Sequence, residues 1–351
     1  MRRYSVYIYP NISRELMGAN NPYIENLKKA LGQNELEVDP ATTGNAFMDF
    51  IRKGISSDMV ILNWLENLPS RRMGVLQSFI ILAYILLLKI CRVKIVWIKH
   101  NKISHTKKWF AISKRIHKVL SRHADYIIIH GLDAGITSPA STLFLPHPSN
   151  IRPGDILRPV QNAKPAIDLL IWGSLLPYKG VLEFLQYVKK DPALQELTIH
   201  IAGKSEEDYA RQLMEYTGPR ITFVNEYVKE EELKTLFERA RFILFTYNKR
   251  SVISSGILMD SLVACKRIIA PDCGAFRDMA EQQQFASLYD DFSDIASLCR
   301  QNYDNFQLDY NDVQKFVAQN SWYNMGNQIK GLLGPKTRVQ SPNHIEIPQT
   351  P

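Results

Sequence analysis

The sequence predicts an α/β protein of two domains, each built on a parallel sheet covered by helices. Its 351 residues are more than one ordinary hydrophobic core accommodates. Short apolar runs alternate with segments of helical spacing in both halves, and this alternation is typical of parallel sheets. Between the halves, a stretch without periodicity contains Pro146, Pro148, Pro153 and Pro159. These prolines indicate a crossing between two domains. We predict that the first domain covers residues 1–160 and the second covers residues 161–320.

The apolar runs are the predicted strands. In the first half they cover residues 6–9, 59–62, 94–98 and 126–129. In the second half they cover residues 168–172, 197–202, 221–224, 242–245 and 267–270. Helical spacing is found over residues 22–31, 181–190, 206–216 and 230–240.

One longer apolar run, residues 75–88, is uncharged and is flanked by Arg71, Arg72 and Lys89. It falls short of the roughly 20 residues that cross a bilayer, so it does not predict a transmembrane helix. Two interpretations remain. It is either a buried core helix of the first domain or a helix half-sunk in a membrane interface, which the flanking basic residues favour.

Charge is distributed unevenly along the chain, whose formal net charge is +8. Residues 1–160 hold 22 Lys and Arg against 11 Asp and Glu, whereas residues 161–351 hold 21 against 24. Between Glu66 and Asp125 there are 13 basic residues and no acidic one. Such a stretch attracts nucleic acid, an anionic membrane surface or a phosphorylated substrate. Nucleic acid is the weakest of these, because no aromatic strand pair or helix-turn-helix signature accompanies the basic residues.

Residues 104–122 lie in this basic stretch and predict an amphipathic helix. Its apolar stripe consists of Trp109, Ile112, Ile116, Val119 and Leu120. Lysines and arginines cover the remaining surface. The pattern fits a helix on a membrane surface, and it also fits a core-facing helix with a solvated basic face.

The cysteines and the amino terminus predict a cytoplasmic protein. Cys91, Cys265, Cys273 and Cys299 have no metal-type spacing, which favours free thiols in a reducing compartment. Residues 1–3 lead directly into a predicted strand, without a small-residue cleavage site after it, so we expect no signal peptide.

The segment IWGSLLPYKGVLEFL, residues 171–185, places one lysine in a tight turn between a predicted strand and a predicted helix. A strand that ends in Gly-Ser before a helix presents backbone N–H groups at the carboxyl edge of a sheet. The helix N-terminus adds partial positive charge there, and Lys179 beside Gly180 adds a full charge. The loop therefore predicts a phosphate site, although an ordinary strand–helix loop with a solvated lysine has the same composition.

This segment resembles the second domain of GT-B glycosyltransferases, in particular the retaining group called glycosyltransferase family 4. The residues that match the family's donor diphosphate loop are Gly173, Ser174, Leu175, Lys179 and Gly180. Three further segments follow in the family's order, at residues 199–203, 225–233 and 254–279. The resemblance implies two Rossmann-like domains facing a central cleft, and a nucleotide-sugar donor whose diphosphate contacts Lys179.

The donor-sugar segment departs from the family's pattern at one position. Asp260 stands where the second acid of an E-x7-E pair is found, and the resemblance implies that it holds the ribose. Val252 stands where the first acid is expected. Ser254, Ser255 and the backbone of Gly256 are the residues that can replace it as hydrogen-bond partners of the sugar.

Histidines follow predicted strands of the first domain, where a titratable group can take part in chemistry. The resemblance implies that His100 is an active-site residue beside the transferred sugar. Further candidates for the cleft are Asn101, His105 and Gly18. His130 follows the predicted strand at residues 126–129, and His147 lies in the segment LPHPS; both a structural role and a place in the cleft remain open for them.

The end of the chain is predicted from the same resemblance. Residues 321–334 resemble the family's closing helix, which crosses back onto the first domain. Residues 335–351 contain several prolines and no periodicity, so we expect a disordered tail.

We therefore expect a hexosyltransferase-type glycosyltransferase of the retaining kind. Its donor is a UDP- or GDP-linked sugar, and its acceptor is a saccharide, lipid-linked, in cell-surface polysaccharide biosynthesis. We expect no metal and no cofactor, because no DxD-like motif is evident and Lys179 can replace a cation at the diphosphate. The basic first domain implies a peripheral location at the inner face of the membrane. Two alternatives remain: a sugar-nucleotide epimerase, and a non-catalytic protein that binds saccharide or membrane.

Overall fold

The protein is described by a computed structural model, which covers residues 3–11, 22–100, 109–134, 141–160, 164–249 and 255–334. The chain forms two compact units. One contains Met1–Pro148 and the chain from Asn320 onward, and the other is Ser149–Gln319. The boundary lies earlier than residue 160, where the sequence placed it, because residues 149–160 pack within the second unit. There the Leu157 N–H donates to the Val263 carbonyl at 2.8 Å.

The strands of the first unit are β1 (Ser5–Tyr9), β2 (Glu37–Val38), β3 (Met59–Asn63), β4 (Lys94–Lys99), β5 (Tyr126–Ile129) and β6 (Ser141–Phe144). They form one parallel sheet in the order β2-β1-β3-β4-β5-β6. The helices that follow these strands are α1 (Tyr23–Gln33), α2 (Ala46–Lys53), α3 (Gly74–Ile90) and α4 (Phe110–His123). The central strands β3, β4 and β5 are almost continuously apolar and buried, as expected of parallel strands covered on both faces.

The register brings the carboxyl ends of these strands to one edge of the sheet. Leu62 in β3 lies opposite Trp97 in β4, and Trp97 lies opposite Ile127 in β5. Side chains that directly follow β3, β4, β5 and β6 therefore lie close to one another.

The strands of the second unit are β7 (Ile167–Trp172), β8 (Ile199–Ala202), β9 (Ile221–Val224), β10 (Ala240–Leu244), β11 (Ile268–Pro271) and β12 (Ala286–Tyr289). They form a parallel sheet in the order β12-β11-β10-β7-β8-β9. Its helices are α5 (Val181–Val188), α6 (Pro192–Gln195), α7 (Glu207–Met214), α8 (Glu230–Arg239), α9 (Gly256–Asp260), α10 (Gly274–Gln283), α11 (Asp294–Gln301) and α12 (Tyr310–Gln319). Separate apolar cores cover the two faces of this sheet.

The last described helix, α13 (Trp322–Gly331), packs on α1 in the first unit. Gly326 permits this close approach, since a Cβ there would lie 2.6 Å from the Ala30 carbonyl oxygen. Lys330 and Glu35 form an ion pair at 2.8 Å across the same contact. The predicted disordered tail, residues 335–351, lies outside the described residues.

Helix α3 contains the uncharged run of residues 75–88, and only one side of it is buried, so it is not a fully buried core helix. One face packs on the sheet and is buried, through Ser78, Ile81, Ile85 and Leu88. The opposite face is exposed and apolar. No helix in the described ranges has both the length and the apolar content that crossing a bilayer requires.

Helix α4 is shorter than the helix predicted over residues 104–122, and residues 101–108 lie outside the described chain. Ile116 and Leu120 are buried, as the predicted stripe requires. Trp109 is not part of the buried face: it precedes α4 with a φ of 63° and is 47% exposed. The stripe was wrong at this position because the chain leaves helical geometry there.

Candidate functional site

In the second unit, the loop after β7 depends on a glycine at the start of α5. Pro177–Lys179 form a single 3₁₀ turn, and Gly180 follows with a φ of +70° as the residue that precedes the helix. A Cβ at Gly180 would collide with the carbonyl oxygen of Thr246, which follows β10. Only glycine therefore allows this turn to lie against the end of β10, and the turn places Lys179 at the carboxyl edge of the sheet.

The loops after β7 and β8 are joined by backbone hydrogen bonds. The Gly173 N–H donates to the Ala202 carbonyl at 3.0 Å, and the Leu175 N–H donates to the Lys204 carbonyl at 2.9 Å. The Gly173 N–H is thus occupied within the sheet, which corrects the expectation that both the Gly173 and Ser174 amides face a phosphate. Ser174 is exposed, and its N–H has no acceptor among the described residues.

Lys179 is a buried cation, with only 5% of its surface exposed. Its backbone is fixed by Thr246, whose hydroxyl donates to the Lys179 carbonyl at 2.6 Å. Its Nζ lies 5.5 Å from the centre of the Tyr247 ring, and no carboxylate in the described chain pairs with it. Burial lowers the pKa of the ammonium to about 8. A buried ammonium without an anion favours an anionic ligand, which supplies the missing charge.

Asp260 ends the short helix α9 and is half-buried. Both of its carboxylate oxygens accept from the Asn150 side-chain amide at 3.3 Å. Burial raises the pKa of the carboxyl, and the hydrogen bonds from Asn150 partly oppose that rise. Asn150 was not identified from the sequence, where it is one polar residue in the proline-rich crossing.

Ser255 and Gly256 lie at the start of α9, close to the lysine loop. The hydroxyls of Ser255 and Tyr247 lie 3.3 Å apart, and the same Tyr247 ring lies beside the Lys179 ammonium. The structure therefore links the predicted donor-sugar segment to the predicted diphosphate loop. Two other residues of that segment, Val252 and Ser254, lie outside the described residues.

In the first unit, six rings form a cluster at the carboxyl edge of the sheet. They are Tyr23, Trp64, His100, His130, His147 and Trp322. Trp64, His100 and His130 directly follow β3, β4 and β5, and His147 lies shortly after β6. The remaining two rings are the first residues of α1 and α13.

Tyr23 is the centre of the cluster. Its ring centroid lies 4.7 Å from that of His100, 5.4 Å from that of His147 and 5.0 Å from that of Trp322, all in edge-on geometry. Trp64 stacks on His100 with a centroid distance of 4.2 Å and an interplanar angle of 19°. Such contacts fix the orientation of the His100 imidazole.

Hydrogen bonds define the tautomers of two histidines in this cluster. The Leu145 carbonyl only accepts, so the His130 Nδ1–H donates to it at 2.7 Å. The His130 Nε2 then accepts from the Tyr23 hydroxyl at 2.8 Å. The His147 Nδ1–H donates to the Pro148 carbonyl at 2.9 Å.

All three imidazoles are neutral at physiological pH. Burial, followed by the mutual repulsion of the imidazolium forms, lowers the pKa of His100 well below its usual range. The same two causes lower the pKa of His130 to about 3, and burial lowers that of His147 to about 4. His100 and His147 keep part of their surface exposed, whereas His130 is buried. The cluster therefore presents aromatic surface and neutral imidazole nitrogens, a combination suited to an uncharged polar ligand such as a sugar.

The cluster contains more than the sequence indicated. It includes His100 and also His130 and His147, whose roles were open. Tyr23, Trp64 and Trp322 were not identified as site residues. The signal for Trp64 was its position after a predicted strand, the same signal that identified the histidines. Three predicted cleft residues, Gly18, Asn101 and His105, lie outside the described residues.

Two six-stranded parallel sheets with flanking helices give two Rossmann-like units, and the chain has the GT-B fold of glycosyltransferases. It is similar to the sucrose-phosphate synthase of Thermosynechococcus elongatus, with a TM-score of 0.65 and 13% identity over 94% of this chain and 98% of that one. It is similar to HepE of Anabaena in complex with UDP-glucose, with a TM-score of 0.61 and 14% identity over 94% and 99% of the two chains. It is also similar to AviGT4, a glycosyltransferase involved in avilamycin A biosynthesis, with a TM-score of 0.56 and 12% identity over 94% of this chain and 97% of that one.

These similarities are similarities of fold. No family model matches the sequence, and no curated protein sequence matches it.

Proposed function

We propose that this protein transfers a sugar from a nucleotide-sugar donor to a saccharide acceptor. The observation that carries the proposal is Lys179, a buried ammonium without a carboxylate partner in the described chain, held at the carboxyl edge of the second sheet. In open α/β sheets ligands bind at this edge, beside helix N-termini that attract phosphate. The GT-B fold and the resemblance of residues 171–185 to a donor diphosphate loop support the same ligand.

In the proposed reaction the bond between the anomeric carbon and the diphosphate oxygen breaks, and a bond from the anomeric carbon to an acceptor hydroxyl oxygen forms. The nucleoside diphosphate leaves with the bonding electrons, and the acceptor hydroxyl passes its proton to an oxygen of the departing diphosphate. Negative charge grows on the departing diphosphate, where Lys179 and the first turn of α5 stabilise it. Neutral His100 accepts a hydrogen bond from the sugar, and Asp260 accepts from the ribose hydroxyls.

The proposed donor is a UDP-linked hexose, with a GDP-linked sugar as the second choice. UDP-glucose bound to HepE, which shares this fold, supports the first choice. We extend the proposal to retention of anomeric configuration, which rests on the resemblance to the retaining family. The anomeric proton coupling of the product by NMR tests this extension.

The proposed acceptor is a lipid-linked saccharide, in the assembly of a cell-surface polysaccharide. The excess of basic residues in the first half of the chain supports it, since a lipid-linked saccharide diphosphate is anionic and lies at an anionic membrane surface. The protein would then act as a peripheral protein on the cytoplasmic side of that membrane.

We also propose that the reaction needs no metal ion, because Lys179 supplies the positive charge at the diphosphate. Transfer should persist at full rate in excess EDTA. A loss of activity that Mg²⁺ or Mn²⁺ restores would overturn this part of the proposal.

Calorimetric titration with UDP, GDP and their glucose conjugates tests the donor site. We expect one nucleotide to bind, and Lys179→Met to weaken it about tenfold or more through loss of a charge-assisted contact. Lys190→Met is the matched control, because Lys190 is an exposed lysine just after α5. Failure of every nucleotide to bind would refute the proposal. Release of nucleoside diphosphate that depends on an added saccharide acceptor separates a transferase from an epimerase and from an inert binder.

A further inference from the structure

The exposed side of α3 is a continuous apolar surface. Six large apolar residues on this side are 40 to 78% exposed: Leu76, Phe79, Ile80, Leu86, Leu87 and Ile90. We call this surface the α3 outer face. The spacing of three, four and seven residues places all six on one side of the helix, opposite the buried residues. Every exposed residue of α3 is apolar, so no charge interrupts the face.

The size of the α3 outer face marks it as a contact surface. The helix has 17 residues and is therefore about 25 Å long. Single exposed apolar residues are common on soluble proteins, whereas a contiguous apolar stripe of this length is found where a protein meets a partner or a membrane.

The surroundings of the face are positively charged. Arg72 and Arg92 are exposed just beyond the two ends of α3. Helix α4 packs beside α3 and exposes Lys114, Arg115, Lys118 and Arg122. No acidic residue occurs between Glu66 and Asp125, so within that stretch nothing offsets these charges.

We propose that the α3 outer face inserts into the interface of an anionic lipid bilayer, with α3 parallel to the membrane plane and the α4 cations on lipid headgroups. An apolar stripe bordered by cations matches the boundary between acyl chains and anionic headgroups. A second copy of this face is disfavoured as the partner, because it would bring two positive borders together. The proposal concerns a surface of the first unit and does not depend on the proposed transfer reaction.

Vesicle flotation with the full-length protein tests this surface. We expect the protein to bind phosphatidylcholine vesicles that contain about 30% phosphatidylglycerol and to bind pure phosphatidylcholine vesicles little. High salt should abolish the binding. The affinity for anionic vesicles should be at least about tenfold lower in a variant with Phe79→Gln, Ile80→Gln and Leu87→Gln. These positions are exposed, so the variant should fold. Met214→Gln, at an exposed methionine of α7 in the other unit, is the matched control and should bind like the original protein.

The charge of α4 and the depth of α3 are measured separately. Lys114→Gln with Lys118→Gln should weaken binding to anionic vesicles only. The control pair Lys234→Gln with Lys315→Gln, at exposed lysines elsewhere, should not weaken it.

Cys91 is exposed next to α3, and the other three cysteines are buried. The emission of an environment-sensitive dye attached to Cys91 should therefore shift to shorter wavelength on anionic vesicles.

Two results would overturn the proposal: equal flotation of the α3 variant and the original protein, or self-association that the α3 variant abolishes while vesicles do not bind. Nucleotide affinity should be the same in all these variants, which keeps a failure here distinct from a failure of the donor site.

Discussion

His100 donates its Nε2–H to the Asn63 side-chain oxygen at 2.9 Å. The orientation of the Asn63 amide follows from its other contact, because its Nδ2 donates to the Tyr9 carbonyl at 3.2 Å and its Oδ1 is left to accept. The His100 proton is therefore held on Nε2, and Nδ1 carries a lone pair. The imidazole thus acts as a hydrogen-bond acceptor at Nδ1, the role that a sugar hydroxyl requires.

This tautomer is open to direct measurement. Long-range ¹H–¹⁵N NMR should show His100 protonated on Nε2 and His130 on Nδ1, since each tautomer is fixed by a hydrogen bond to an acceptor. Asn63→Ala should release His100 to populate both tautomers and leave His130 unchanged, which makes His130 the internal control. The proposed transfer activity should fall about tenfold or more in His100→Ala, through loss of one hydrogen bond to the sugar, and by less in Asn63→Ala. A His100 protonated on Nδ1 in the original protein would contradict the assignment.

The histidine cluster should make the first unit sensitive to acid. Burial and the neighbouring imidazole hold the pKa of His130 at about 3, below the roughly 6.5 of an unfolded chain. Its contribution to stability is complete above pH 6.5 or so and is lost as the pH falls toward 3, because the unfolded chain takes up the proton first. The slope is about 1.4 kcal/mol per pH unit for this histidine.

Urea unfolding at several pH values between 7 and 4, roughly, checks this expectation. His130→Gln should flatten the pH dependence of the free energy of unfolding by the contribution of one proton. Tyr23→Phe removes only the hydroxyl that donates to His130, so it should lower stability by about 1 kcal/mol without flattening the slope. Equal slopes in the original protein and His130→Gln would rule out the buried neutral imidazole as the cause.

The sheet could be read from the sequence where the strands are apolar throughout. The predicted strand at residues 126–129 coincides with β5, whose four residues are all buried. Three strands of the described chain were not predicted: β2, β6 and β12. Each lies at an edge of its sheet, where solvent reaches one side and the apolar run is shorter or contains serine and glutamate.

The site was less accessible to sequence reasoning than the fold. The turn chemistry around Lys179 and Gly180 is local, so the sequence predicted it. Burial of Lys179 and the absence of a carboxylate beside it in the described chain depend on β10, which is distant in sequence. Tyr23 and Trp322 come from opposite ends of the chain and meet only through the packing of α1 on α13.

Gly180 should not tolerate a side chain. Gly180→Ala places a Cβ against the Thr246 carbonyl oxygen at a φ of +70°, so we expect a loss of about 2 kcal/mol or more of stability. Gly218→Ala is the matched control in the same unit, because a Cβ there meets nothing within 4 Å. Chemical denaturation of both variants measures the difference, and equal stability of the two would show that the turn relaxes around the added methyl group.

Lys179 should destabilise the protein when no ligand is bound. Its pKa of about 8 in the folded chain lies below the value of about 10.4 in an unfolded chain, so the charged form is penalised by folding. Below pH 8 this lowers the free energy of unfolding by about 3 kcal/mol. The loss disappears as the pH rises through 10.4 or so, where the unfolded chain also releases the proton. Lys179→Met should therefore raise the melting temperature at pH 7, whereas Lys190→Met should not. A lower melting temperature in Lys179→Met would mean that the ammonium is compensated in the folded protein and has a structural role.

The same pKa makes nucleotide binding depend on pH in a defined direction. In the proposed donor site the diphosphate binds the ammonium form of Lys179, so nucleotide affinity should be constant below pH 8 and fall above it. The affinity should be about tenfold weaker at pH 9 than at pH 7, because roughly one tenth of the free protein is protonated at Lys179 at pH 9.

Binding of the diphosphate should raise the pKa of Lys179, so proton uptake should accompany binding near pH 8.5 or so. Calorimetry in two buffers of different ionisation enthalpy measures that uptake, and Lys179→Met should bind weakly with neither pH dependence nor proton uptake in this range. Affinity that falls equally with pH in Lys179→Met would assign the titration to another group and remove Lys179 from the diphosphate site.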